Sequence, residues 1–247
     1  LFEREKRRLV LTDTGQLVFA YAENIFGLGQ EMLGRLQGRS EGMIRLRVGG
    51  VATLSLNYQE NWIRPLLADP TVTLTLESGL LEDLLDRLLQ HQLDVVLANE
   101  TVPADSDRPL HCRFLGSQSV SLVGPAAIWK GRHLRLPEDL DGVELALPGP
   151  RHALRAQFDA LCISAGVTPR LRAEVDDMAM LRLIARDSGW LTVLPAVVVQ
   201  DELHSGSLVT VGESTRLQEN FYAITTPRRH RIERLEQLLS SAPEVQG

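Results

Sequence analysis

The side chains in this sequence best suited to hold a small ligand are short polar groups, Thr53, Ser78 and Asn99, and carboxylates, Glu100, Asp176 and Asp177. Hydroxyls combined with backbone N–H groups suit an organic carboxylate, whose oxygens need donors. The carboxylates are hard-oxygen candidates for a cation, which would also require backbone carbonyls and water. Each residue has a structural use as well. Thr53 or Ser55 can cap a helix, as can Asp176 or Asp177 ahead of Met178. Gly49-Gly50 can supply a positive φ at a tight turn, and Arg151 and His152 read as solvated first-turn residues. No Walker loop, Gly-x-Gly-x-x-Gly or His-Glu-x-x-His occurs. The six histidines are scattered singly, and Cys112 and Cys162 lack metal or pairing spacing. No catalytic residue, cofactor or metal site is therefore expected, and the chain is not read as an enzyme.

Alternating strands and helices position these groups. Ile44 to Gly50 alternates with period two, and a helix follows around Leu56 to Leu67. Thr71 to Leu76 alternates Thr with Val or Leu, which predicts a strand, and Leu80, Leu81, Leu84, Leu85, Leu88 and Leu89 mark a helix face over 80–91. Asp94 to Ala98 is a short apolar run suited to a strand buried on both faces. A second unit has expected strands at 118–124, 143–148, 171–175, 190–195, 208–211 and 220–225, and helices at 151–165, 177–187, 196–204 and 228–241. This is an α/β chain with a parallel sheet. Ligands in such sheets settle at carboxyl ends of strands. Those ends are Gly49 to Thr53, Ser78-Gly79, Asn99 to Thr101, Pro148 to His152 and Asp176-Asp177.

Ahead of this body, Leu17, Tyr21, Ile25, Leu28, Met32 and Leu36 fall on one helical stripe over 16–39. Thr12 or Thr14 can cap that helix, and the stripe is expected to pack against a second copy of the chain. Gly38, Ser40 and Gly42 then read as a hinge. A net charge of −6 argues against a general nucleic-acid binder. Arg4, Lys6, Arg7 and Arg8 form a local basic cluster that could touch DNA phosphate or simply be a solvated hairpin, with Glu3 and Glu5 halving its charge. No run of about 18 apolar residues occurs, so no membrane partner is expected and the chain is read as cytoplasmic.

Leu1-Phe2-Glu3-Arg4, Arg7 or Arg8, then Leu11-Thr12 and Gly15 resemble the end of the winged helix-turn-helix of LysR-type transcriptional regulators. Gly79-x(4)-Leu84-x(3)-Leu88 with Leu93 to Leu97, and Ser188 to Pro195, extend the resemblance over the chain, although Trp190 and Leu191 stand where a second small residue is usual. Within the family, Tyr21-Ala22-Glu23-Asn24-x-Phe26, Gln30 to Leu33, Gln90 to Asp94, Pro148-Gly149-x-Arg151 and Asp176-Asp177-x-Ala179 resemble activators of sodium–proton antiporter operons. The resemblance implies a two-subdomain periplasmic-binding-protein type 2 fold (the LysR effector-binding fold) behind a long linker helix, with two crossover strands around a cleft. Its implied boundaries are a winged-helix remnant over 1–14, a linker helix and hinge over 15–41, one subdomain over 44–117 and 227–247, and the other over 118–226. The implied effector residues are Val51, Ala52, Thr53, Ser78, Asn99, Glu100, Pro148, Gly149, Asp176 and Asp177. Implied partners are a second copy, as homodimer or tetramer, a small-molecule or ion effector, and promoter DNA only in a full-length protein. A solute-binding protein of a transporter and, behind it, a bilobal enzyme are the alternatives that the same pattern allows.

Overall fold

A computed structural model of the chain describes residues 1–5, 8–36, 44–103, 108–227 and 232–240. It opens with an antiparallel hairpin, β1 (Phe2–Glu5) and β2 (Arg8–Leu11), with Phe2 opposite Leu11. Thr12, rather than Thr14, caps the following helix: its hydroxyl accepts from the Gly15 N–H at 3.1 Å. Helix α1 runs over Asp13–Leu36, about 36 Å at 1.5 Å per residue. Tyr21, Ile25 and Met32 of the expected stripe are exposed, and so are Val18, Phe19, Phe26 and Leu33, which widens the bare apolar surface beyond one seam. Lys6, Arg7, Gly38, Ser40 and Gly42 lie outside the described residues, as do the side chains of Arg8, Leu17, Leu28 and Leu36.

The body begins with β3 (Ile44–Val51), α2 (Leu56–Leu67), β4 (Val72–Gly79), α3 (Leu81–Leu89) and β5 (Val95–Ala98). Strand β3 pairs in parallel with β4 on one side and β5 on the other, as the alternation predicted. All four residues of β5 are buried. Buried Asp94, just ahead of β5, ties the two strands: it accepts from the Arg47 backbone N–H at 2.7 Å and from its guanidinium at 3.0 Å. Gly49 and Gly50 are ordinary strand residues without positive φ, contrary to expectation. Their use is close approach, since a Cβ on Gly49 would strike Leu93 and one on Gly50 would strike the Gln59 amide.

There follow β6 (His111–Pro125), α4 (Ala126–Trp129), β7 (Glu144–Pro148), α5 (Ala153–Ala165), β8 (Arg170–Val175), α6 (Met178–Asp187) and β9 (Leu191–Pro195). A 3-10 turn (Ala196–Val199) then leads into α7 (Gln200–Ser205), β10 (Leu208–Thr225) and α8 (Glu233–Ser240). Helix α5 starts two residues later than expected because His152 caps it, and α4 was not expected. The segments 208–211 and 220–225 join into one strand. The residues between them, 212–219, are absorbed into β10 with register shifts between Thr210 and Gly212 and between Ser214 and Gln218.

Among the described residues the main sheet has eight strands in the order β4-β3-β5-β10-β6-β9-β7-β8. The long antiparallel pair β6–β10 forms its centre, flanked by parallel strands on either side. One apolar cluster gathers Leu46, Trp62, Val95, Leu97 and Phe221; a second gathers Leu145, Phe158, Leu161 and Val193. The Tyr58 and Phe221 rings stack with centroids 3.7 Å apart. No helix among the described residues is long and apolar enough to cross a membrane.

Candidate functional site

The carboxyl ends of the parallel strands converge on a cleft of about 200 Å³. Its walls are Val51, Ala52 and Thr53 leaving β3, Gly79 to Leu81 entering α3, Asn99 and Glu100 after β5, Arg151 to Ala153 entering α5, and Asp176 after β8. A wider, open depression of about 720 Å³ lies around His133 to Leu136, Glu138, Thr210 and Glu213. There Arg135 is committed to Asp139 at 2.7 Å. It lacks the enclosed convergence of polar groups that marks a ligand site.

Below the cleft runs a polar chain. The Thr53 hydroxyl donates to Asn99 Oδ1 at 3.1 Å, and Asn99 Nδ2 donates to Glu219 Oε1 at 3.1 Å. Asn99 Nδ2 also lies 3.4 Å from the Thr53 carbonyl and 3.1 Å from His152 Nε2. His152 Nε2 in turn stands 3.9 Å from Glu219 Oε1, with each side chain only 4% exposed. His152 Nδ1 accepts from the Leu154 N–H at 3.1 Å, which makes this histidine the N-cap of α5. A capping nitrogen carries no hydrogen, so the neutral ring holds its hydrogen on Nε2.

Burial dominates the electrostatics of this chain. It pushes the Glu219 carboxyl up to about 7, against a smaller downward pull from Asn99. It pushes His152 down, opposed by its hydrogen bond with the Thr53 backbone and by the Asp176 charge. Glu219 Oε2 is buried and has no hydrogen-bond partner among the described residues. At the rim, Arg151 pairs with Asp176 at 3.2 Å, both exposed. Asp176 lies flat on Gly149, where any Cβ would collide with its carboxylate.

Of the expected effector residues, Val51, Ala52, Thr53, Asn99, Glu100 and Asp176 line this cleft. The others do not. Ser78 is exposed on β4 at the parity opposite Gly79, since neighbours in a strand face opposite ways. Pro148 is buried and its carbonyl accepts from Arg155 at 3.1 Å. Gly149 lies beneath Asp176, and the Asp177 carboxylate caps α6 by accepting from the Met180 N–H at 2.8 Å. Ser55, rather than Thr53, caps α2. His152 is buried rather than solvated. Glu219 escaped the sequence reading although a signal existed: Leu217, Glu219 and Phe221 share the inward parity of β10 and are all buried. Arg4 is exposed on β1. Among the described residues no group of three or more His, Cys, Asp or Glu is placed to hold a metal ion.

Residues 39–246 match the family described as the LysR substrate binding domain. The chain belongs to that family. It is 25% identical to the transcriptional activator protein NhaR of Escherichia coli (strain K12) over 231 residues, which cover 92% of this chain and 75% of NhaR. Its fold is similar to that of CbnR, a LysR family transcriptional regulator, with a TM-score of 0.67 at 19% identity over 97% of this chain and 84% of CbnR. The CcmR regulatory domain of Synechocystis PCC6803, solved with 2-PG, matches with a TM-score of 0.63 at 12% identity over 81% of this chain and 98% of that domain. This LysR-type chain thus has the effector-binding, periplasmic-binding-protein type 2 architecture, and its relatives are transcriptional regulators rather than enzymes.

Proposed function

We propose that this LysR-type module senses a small organic carboxylate in the cleft between two subdomains, over 44–117 with 227–247 and over 118–226, and self-associates through α1. The observation that carries the reading is the polar chain Thr53–Asn99–His152–Glu219 beneath the cleft, which ends on a buried carboxylate oxygen, Glu219 Oε2, with no hydrogen-bond partner among the described residues. Thr53 and Arg151 place polar side chains at the wall. A cation fits less well: the Asp176 carboxylate already holds Arg151, and Asp177 serves as a cap. The similar domain of CcmR was solved with a small ligand, 2-PG, and CbnR was solved with its target DNA. By analogy, promoter DNA is the partner of the full-length regulator in the cytoplasm. The stretches that resemble activators of sodium–proton antiporter operons extend the reading to such genes.

The mechanism is a population shift. An effector with different affinity for two assembly states biases their equilibrium, and β6 with β10 carry the change between the halves. A thermal-shift series with acetate, malonate, NaCl and LiCl at matched ionic strength tests the site. Malonate is expected to raise the Tm of the wild type and not of Thr53→Ala. No shift with either carboxylate, or a shift undiminished in Thr53→Ala, overturns the carboxylate reading.

A further inference from the structure

Glu219 is the least expected member of the chain below the cleft, and its surroundings are sparse in charge. From the end of β5 it faces Asn99, and on β6 the uncharged Gln118 stands opposite it in register. From the start of α5 it faces His152, the titratable group among these neighbours, and His152 feels the Asp176 charge. Glu219 Oε2 and Gln118 Oε1 are both buried acceptors without a donor among the described residues. A carboxyl carries one hydrogen, and the side chain within hydrogen-bond distance of Glu219 that could accept it is Asn99, 3.1 Å from Oε1.

We infer that Glu219 is a positioning residue whose proton reverses the hydrogen-bond direction of the Glu219–Asn99–Thr53 chain, and so decides whether Thr53 offers the cleft a hydrogen or a lone pair. This inference rests on the reading of the cleft as a carboxylate site.

With Glu219 ionised, the Asn99 amide donates from Nδ2 to Glu219, and Asn99 Oδ1 accepts the Thr53 hydroxyl hydrogen. Thr53 then turns a lone pair to the cleft, which repels a carboxylate. With Glu219 protonated on Oε1, its O–H donates, and the Asn99 amide turns over so that Oδ1 accepts this hydrogen. Asn99 Nδ2 now donates to Thr53 Oγ1, and the Thr53 hydrogen is free to donate into the cleft. The two orientations of a side-chain amide occupy the same volume, so the reversal needs no backbone movement, and it gives up the long 3.4 Å contact of Asn99 Nδ2 with the Thr53 carbonyl. Removal of the buried negative charge acts in the same direction on an anionic ligand. Binding of a carboxylate is thereby coupled to uptake of one proton, and ligands that donate are favoured by the ionised state.

The test has a ligand-free arm and a ligand arm. In the whole chain, NMR follows the Glu219 carboxyl carbon and the Asn99 side-chain amide across pH 5 to 9. Both are expected to move together with a midpoint near 7, and the Asn99 signals are expected to lie flat in Glu219→Gln, whose amide mimics the protonated carboxyl. Titration of Glu219 in the ordinary carboxylate range, or an Asn99 amide that ignores it, overturns the relay. In calorimetry with malonate as probe, affinity falls about tenfold per pH unit above the midpoint in the wild type and is independent of pH in Glu219→Gln. Malonate binding without that slope in the wild type also overturns the relay. Thr53→Val serves if Glu219→Gln does not fold: it keeps the Glu219 titration and loses the preference for malonate at low pH, and a retained preference overturns the role of Thr53. Failure of acetate and malonate to bind while Asn99 follows Glu219 removes the carboxylate reading of the cleft and leaves the relay standing.

Discussion

At the scale of single residues, burying an acid unsolvated has a measurable cost in stability. The folded Glu219 carboxyl titrates at about 7 against an ordinary value of 4.5, so the native state holds the proton more tightly than the unfolded chain. The corresponding stability is fully present below about pH 4.5 and is lost as pH rises through 7, by about 3 kcal/mol in total. His152 has the opposite sign: its depressed value contributes stability above the unfolded range that is lost on acidification. Comparison of the wild type with Glu219→Gln cancels the histidine share to first order. In urea denaturation, the wild type is expected to lose stability relative to Glu219→Gln between pH 5 and 7.5, and a constant difference would contradict the burial argument. The neighbouring acids Asp176 and Asp177 separate just as cleanly. Asp177→Ala removes a helix cap and is expected to cost about 1 kcal/mol with malonate affinity unchanged. Asp176→Ala frees Arg151 and is expected to raise that affinity severalfold in calorimetry; a loss of affinity would place Asp176 on the ligand.

At the scale of elements, the alternation of strands and helices was readable because each signal is local. The leucines of α3 repeat with a helical period, and the four buried residues of β5 form an unbroken apolar run. The caps were readable in type but not in assignment, since Thr53 and Ser55, or Asp176 and Asp177, differ only in backbone geometry that the letters do not carry. Much of the cleft wall was equally legible, because strand ends follow directly from strand positions. Its floor was not. Asn99 meets His152 across 53 residues and Glu219 across 120, and no local pattern encodes such pairings. The polar run Glu213 to Arg216 further disguised β10 as two strands, which left Glu219 at an apparent loop edge. Period-two parity with Leu217 and Phe221 would have placed it inside.

At the scale of the whole molecule, α1 leaves Phe19, Ile25, Phe26 and Leu33 exposed along a single helix. A surface of that kind is expected to be covered by a second copy. Phe26→Asp is expected to weaken self-association about 100-fold, roughly 3 kcal/mol, in sedimentation equilibrium. Unchanged association would move the interface elsewhere. The order of the central sheet has a separate consequence, for synthesis rather than for sensing. Strand β10 lies between β5 and β6, so strands made early on the ribosome wait for residues 208–225 before either gains its inner neighbour. Until then β5 and β6 each present an open edge, the kind of template on which chains stick to one another. A message truncated after β9 would therefore yield not half a sensor but a nucleus for aggregation.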